Sequence, residues 1–173
     1  VVIGNNRGAC VAAKAKLDEL GFYTLFLTSD LQGEAREVGM FLASIASEII
    51  SSGNPIQRPA AVIVGGETTV TVVGNGLGGR NQEVALSAAN RLNGKEGVCL
   101  GSIGTDGIDG PTEAAGAIVD GKTVMKAHEK KLDHKKSLTN NDSHTFFADL
   151  GELIVTGPTG SNVNDVAVLC IAE

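Results

Sequence analysis

Hydrophobic positions along this chain recur with two periods, and the switches between them mark out its elements. Val1, Val2 and Ile3 form a short apolar run that turns at Gly4, which predicts a buried strand. Asn5 or Asn6 then caps a helix carrying Ala9, Ala12, Ala13, Leu17 and Leu20, with Gly21 closing it. Residues 22–28 are the next apolar strand, so 1–28 read as a β-α-β unit. Glu34 opens a longer helix to about residue 51, striped by Val38, Phe41, Leu42, Ile45, Ile49 and Ile50. Ser51, Ser52, Gly53, Asn54 and Pro55 stop it, and the extended link at 57–59 predicts a domain boundary near residue 58.

The second unit starts with a strand at 61–64, after which Gly65 and Gly66 allow a sharp turn. Residues 68–73 alternate polar and apolar, the period of a half-exposed strand. Gly74, Gly76, Gly78 and Gly79 follow, then Arg80, and Asn81 is the expected N-cap of a helix with Ala85, Leu86 and Ala89 on one face. A buried strand at 98–103 runs into a glycine-rich loop at 104–111. The stretch 114–119 is small and apolar, and 123–132 reads as a helix. Asn141, Asp142 and Ser143 cap a short helix through Phe146, Phe147 and Leu150. Strands at 153–156 and 163–171 flank a third tight loop at 157–162. Strands alternating with helices predict an α/β fold: a three-layer-like unit whose mixed sheet is flanked by helices.

Composition narrows the function. The chain has 173 residues, 42% hydrophobic and 20% charged, as in globular domains. One Tyr, no Trp, five Phe and a net charge of −6 argue against a nucleic-acid surface. A local arginine with loop N–H groups can still take an anionic small substrate. No apolar run reaches the ~20 residues of a membrane span and no signal peptide opens the chain. A cytoplasmic protein without membrane partners is expected. Cys10, Cys99 and Cys170 are far apart, sit in apolar runs, and read as small buried hydrophobes in a reducing compartment. The start inside an apolar strand suggests a fragment of a longer protein.

Candidate chemistry gathers in the three loops. A glycine loop feeding a helix start exposes backbone N–H groups at a positive dipole end, which suits an anion. Arg80 adds a planar fork matched to phosphate or carboxylate. Gly74, Gly76 and Gly79 formally match the dinucleotide fingerprint, but no acid ends a second strand about twenty residues on. Asp106 and Asp109 could hold Mg²⁺ with waters and phosphate oxygens, or cap the turns of their own loop. Glu67 is a ligand contact, a solvated strand edge or, ranked first, a partner for Arg80. His128 and His134 share a lysine-rich stretch and are expected in solvent, whereas His144, after Asp142 and Ser143, is a minor candidate for lining a site. There is no P-loop motif and no nucleophile elbow.

Five ordered motifs run along the second unit: Gly65 to Val70, Gly78 to Glu83, Gly104 to Gly110, Asn141 to Ser143 with Phe146 and Phe147, and Thr156 to Asp165. Together they resemble the C-terminal (MOFRL) domain of the class II glycerate 2-kinases. Residues 1–58, with Leu31, Gln32, Gly33 and Glu34, resemble the end of that family's larger, Rossmann-like N-terminal α/β domain, leaving 59–173 as the MOFRL domain. The resemblance implies ATP-dependent phosphorylation of D-glycerate to 2-phosphoglycerate, with Mg²⁺, in a cleft between two domains. It puts the family's active-site arginine on Arg80 and its acidic residue on Asp106. Substrate or nucleotide contacts then fall on Gly65, Gly66, Glu67, Thr68, Gly78, Gly79, Asn81, Gln82, Asn162 and Asn164, and metal contacts on Asp106 and Asp109. Most of the N-terminal domain is absent, so half a site is expected here, partnered by that domain, with a homodimer left open. An NAD(P)H-dependent hydroxypyruvate reductase and a non-catalytic anion-binding domain stand as alternatives.

Overall fold

The computed structural model describes residues 4–173, and the strand expected over residues 1–3 lies outside the described residues. The chain order is α1 (Asn6–Glu19), β1 (Tyr23–Leu31), α2 (Ala35–Ser52), β2 (Ala60–Gly66), α3 (Arg80–Leu92), β3 (Val98–Gly104), β4 (Gly116–Asp120), α4 (Thr123–Glu129), α5 (His134–Thr139), α6 (Ser143–Leu150), β5 (Leu153–Ile154) and β6 (Asp165–Ile171). The strands form one mixed sheet in the order β1-β2-β6-β3-β4-β5. β1 and β2 are parallel and the remaining neighbours are antiparallel. Inserting β6 between β2 and β3 leaves those two strands pointing the same way. The carboxyl ends of β1, β2 and β3 therefore share one edge with the start of β6. Open α/β sheets place their ligands at such an edge.

Burial follows the sequence pattern closely. β2 is a continuous apolar run and is buried along its whole length, which requires cover on both faces. α1 packs on one face, over Phe26, Ile63, Val166 and Val168. The main core lies on the other, where α2, α3, α4 and α6 bury Leu42, Ile49, Leu86, Val124, Phe146 and Phe147. The three-layer arrangement is thus confined to β1, β2 and β6; on β4 the outward Ile118 is 42% exposed. The domain boundary expected near residue 58 falls between α2 and β2, inside this single sheet, with β1 hydrogen-bonded alongside β2. No helix among the described residues is long and apolar enough to cross a membrane.

Several local expectations are corrected. Residues 68–73 form no strand, because Glu34 and Asn141 side chains take the backbone N–H groups of Thr71 and Val73. α3 begins at Arg80 with Gly79 as N-cap, so Asn81 sits inside the first turn. The helix expected over 123–132 ends at Glu129, and Lys131 adopts a left-handed φ of 60° before α5. Phe41 stands 54% exposed, off the buried stripe of α2. His134 is buried instead of solvated, its Nε2 2.9 Å from Asn90 Oδ1, and burial pushes its pKa down.

α2 and α3 approach so closely that a Cβ at Gly39 would overlap the Val84 carbonyl. Gly39→Ala is therefore expected to lower stability by about 1–3 kcal/mol, as overpacking does. Urea unfolding of the full-length protein measures it, and an unchanged midpoint would contradict this helix contact.

Candidate active site

Arg80 is placed by the first turn of α3 and aimed at the sheet edge. Its Nε and Nη2 donate to Asp165 Oδ2 and Oδ1 at 2.6 and 2.9 Å, a bidentate pair with the first residue of β6. Nη1 reaches Glu67 Oε1 at 3.2 Å, just past the end of β2. The Asp165 side chain is 10% exposed and that of Glu67 52% exposed, so the first bond is shielded and the second is wet. The Asp165 carboxylate, and then that of Glu67, hold the guanidinium above even its ordinary pKa. The Glu67–Arg80 pairing expected from sequence is present, with Asp165 as the stronger partner that the sequence did not single out. An acid opening an apolar strand needs a cation nearby, and that was the available signal.

Asp106 sits in the loop after β3, half-buried. Its Oδ1 accepts from Ile108 N–H at 3.1 Å and its Oδ2 from Asn162 Nδ2 at 3.0 Å. The third loop is laced to the second: Thr105 N–H donates to the Asn164 carbonyl at 3.0 Å, and Val163 N–H to Thr105 Oγ1 at 2.8 Å. Asn6 of α1 donates to the Val163 and Asp165 carbonyls, both at 2.8 Å, which fixes the approach to β6. Next to this network an open cavity of about 340 Å³ is lined by Asp30, Gln32, Gly33, Gly66, Glu67 and Asn164, among others. Sequence analysis had not placed the 29–33 segment in the site.

The rest of the expected site has a different use. Asp109 is buried, and its oxygens accept from the Asn81 and Gln82 backbone N–H groups at 3.0 and 2.9 Å, and from both side-chain amides. It caps α3 from a distance, in place of the metal role expected for it. Burial pushes its carboxyl above the usual range, against the pull of those hydrogen bonds. Asn81 accepts from Ser102 Oγ at 2.6 Å and Gln82 bonds Thr112, so both are packed inside. Thr68 is buried too, and lines with Gly65 a cavity of about 10 Å³, room for one water.

The glycine loop is likewise occupied by the protein itself. Gly74 N–H donates to Asn141 Oδ1, Asn75 N–H to Asn140 Oδ1 and Leu77 N–H to Asp142 Oδ1. A Cβ at Gly76, Gly78 or Gly79 would overlap Asp142, Ser143 or Asp109 respectively. These glycines permit close packing of the loop against residues 140–143 and Asp109. Asn141 is anchored in turn by Glu83 at 3.0 Å, which is ion-paired to Arg36. His144 Nε2 lies 3.5 Å from Glu113 Oε1, and its backbone N–H donates to the Leu77 carbonyl. Among the described residues no cluster of three or more His, Cys, Asp or Glu could hold a metal ion.

Fold and geometry together define an α/β protein with an arginine held between two carboxylates at the carboxyl edge of its parallel strands. The model of the MOFRL family matches residues 60–165, and the chain belongs to that family. A D-glycerate 2-kinase of Thermotoga maritima is 52% identical over 167 residues, covering 96% of this chain and 40% of the relative. A glycerate 2-kinase of Pyrococcus horikoshii is 42% identical over 173 residues, covering 99% of this chain and 39% of the relative. The crystal structure of a glycerate kinase from Thermotoga maritima superimposes with a TM-score of 0.98 at 50% identity, over 99% of this chain and 42% of that one. The chain thus spans about two-fifths of the length of these relatives.

The two aspartates separate by their roles. Asp109→Ala strands two buried helix amides and is expected to cost about 2–4 kcal/mol. Asp106→Ala should cost less than about 1 kcal/mol, since its bonds lie at the solvent edge. Equal losses in denaturant unfolding would contradict this division.

Proposed function

We propose that this chain supplies the arginine-bearing half of a glycerate 2-kinase site, where ATP phosphorylates D-glycerate to 2-phosphoglycerate. The other wall of the cleft comes from the remainder of a longer protein. Residues 59–173 are the MOFRL domain in this proposal, and 1–58 the end of the preceding Rossmann-like domain, joined through β1. The observation that carries it is the Arg80 guanidinium, fixed by Asp165 at the sheet edge and bonded on its remaining side, among the described residues, only to the exposed Glu67. Relatives named glycerate 2-kinase match almost the whole chain.

Phosphoryl transfer asks mainly for positioning and charge neutralisation. The glycerate 2-hydroxyl oxygen attacks the γ-phosphorus, ADP leaves, and the hydroxyl proton passes to a carboxylate or to water. Asp106, held by Asn162 and by its own turn, orients that hydroxyl or takes its proton. Arg80 neutralises an anionic oxygen, either of the transferring phosphoryl or of the glycerate carboxylate. An arriving anion displaces Glu67, which offers one wet bond, and leaves the shielded Asp165 pair intact. Glu67 thus keeps the arginine in place until a ligand replaces it.

Among the described residues Mg²⁺ finds no ready cage: of the two aspartates, Asp109 is consumed in capping α3, and Asp106 keeps an exposed edge. Such an ion would arrive with the nucleotide phosphates, which commonly complete its shell. The reductase alternative is less favoured, because amides of the fingerprint loop are already bonded to Asn141 and Asp142.

Arg80→Lys in the full-length protein keeps a charge but loses the fork. A glycerate-dependent ATP-to-ADP assay is expected to show kcat/KM reduced by about 10²–10⁵, the range for lost oxyanion donors and arginine fingers. Near-normal turnover would remove Arg80 from the mechanism. Ligand binding without turnover by the unaltered full-length protein would favour the non-catalytic anion-binding alternative.

A further inference from the structure

At the sheet edge opposite the candidate active site, pairing brings together two residues that the sequence keeps apart. Cys99, second in β3, stands directly opposite Cys170 near the end of β6. Both side chains are partly exposed, and both line an open cavity of about 820 Å³. Directly opposed residues of an antiparallel pair have Cα atoms about 4.5–5.5 Å apart, within the span a disulfide bridges. The sequence expectation of three isolated, buried thiols therefore holds for Cys10 alone.

We propose that Cys99 and Cys170 are a redox-active dithiol that closes to a cross-strand disulfide by exchange with a low-molecular-weight disulfide. Cys99 is the attacking thiol. The facing Cys170 thiol holds its pKa down to about 7, while Cys170 itself is pushed up. Lys95, Glu96, Asp120 and Lys122 face the pair from the cavity rim, with Lys126 and Glu152 beyond Asp120. Of these, Asp120 opposes ionisation of Cys99.

The exchange balances in two steps. The Cys99 thiolate attacks one sulfur of RS–SR, that S–S bond breaks, and one thiolate RS⁻ leaves. With Cys99 capped, the charge that had raised Cys170 is gone. Cys170 then gives its proton to water and attacks Cys99 Sγ, expelling the second RS⁻. The protein loses two electrons and two protons, and the small disulfide is reduced to two thiols. Only a thiolate reacts in this way, so the rate falls as pH drops through the Cys99 value.

The test uses oxidised glutathione on the full-length protein under native conditions, followed by non-reducing tryptic mapping. A disulfide joining peptide 96–122 to the peptide beginning at Ser137 is the expected product. Cys170→Ser should instead accumulate a glutathione adduct on Cys99, and Cys99→Ser should leave Cys170 unmodified. In the unaltered protein, alkylation of Cys99 should show a midpoint near pH 7 and outpace that of Cys170 at least about tenfold at that pH. Two free thiols after prolonged exposure, or an adduct on Cys99 that Cys170 never resolves, would overturn the proposal.

Discussion

A guanidinium held between two carboxylates joins the first residue of α3 to the first residue of β6 and to the end of β2. The bidentate bond to Asp165 uses both oxygens in a shielded position, where a charge-assisted pair is strong and geometrically demanding. Removing either member would leave a charge stranded at a half-buried edge. The antiparallel insertion of β6 between β2 and β3 makes this contact possible, because it brings the start of β6 to the carboxyl end of β2. The loops that carry Asp106 and Asn162 hang from the same strands, so their placement depends on the same joint.

A second constraint is that the helix and loop amides suited to an anion are already satisfied from within. Asp109 caps α3, while Asn140, Asn141 and Asp142 bind the backbone of the glycine loop. The backbone of 74–79 is thereby rigid support and not a cradle. What stays available to a ligand is the outer side of Arg80, the edge of Asp106 and the cavity beside Glu67 and Asn164.

Much of the fold was legible because burial dictates period. The all-apolar β2, the stripe of α2 and the short apolar runs of β3 and β6 were readable within a few residues. Residues 68–73 misled because their alternation imitates a strand, while their hydrogen bonds go to the side chains of Glu34 and Asn141. Arg80 and Asp106 could be singled out as charges beside glycines. Asp109 could not be separated from Asp106 by spacing, since burial alone decides which becomes a cap. Asp165 and the facing cysteines were hidden for a common reason: both depend on strand order, and a strand inserted out of sequence leaves no local trace.

The most direct measurement is a double-mutant cycle on kcat/KM in the full-length protein, combining Arg80→Lys with Asp165→Asn. If Asp165 acts by holding the Arg80 fork in place, the double variant should lose little more than the worse single one. That leaves an interaction energy of about 1–3 kcal/mol. Losses that add to within about 0.5 kcal/mol would mean that the two residues act independently, and would contradict an anion site built on their pairing.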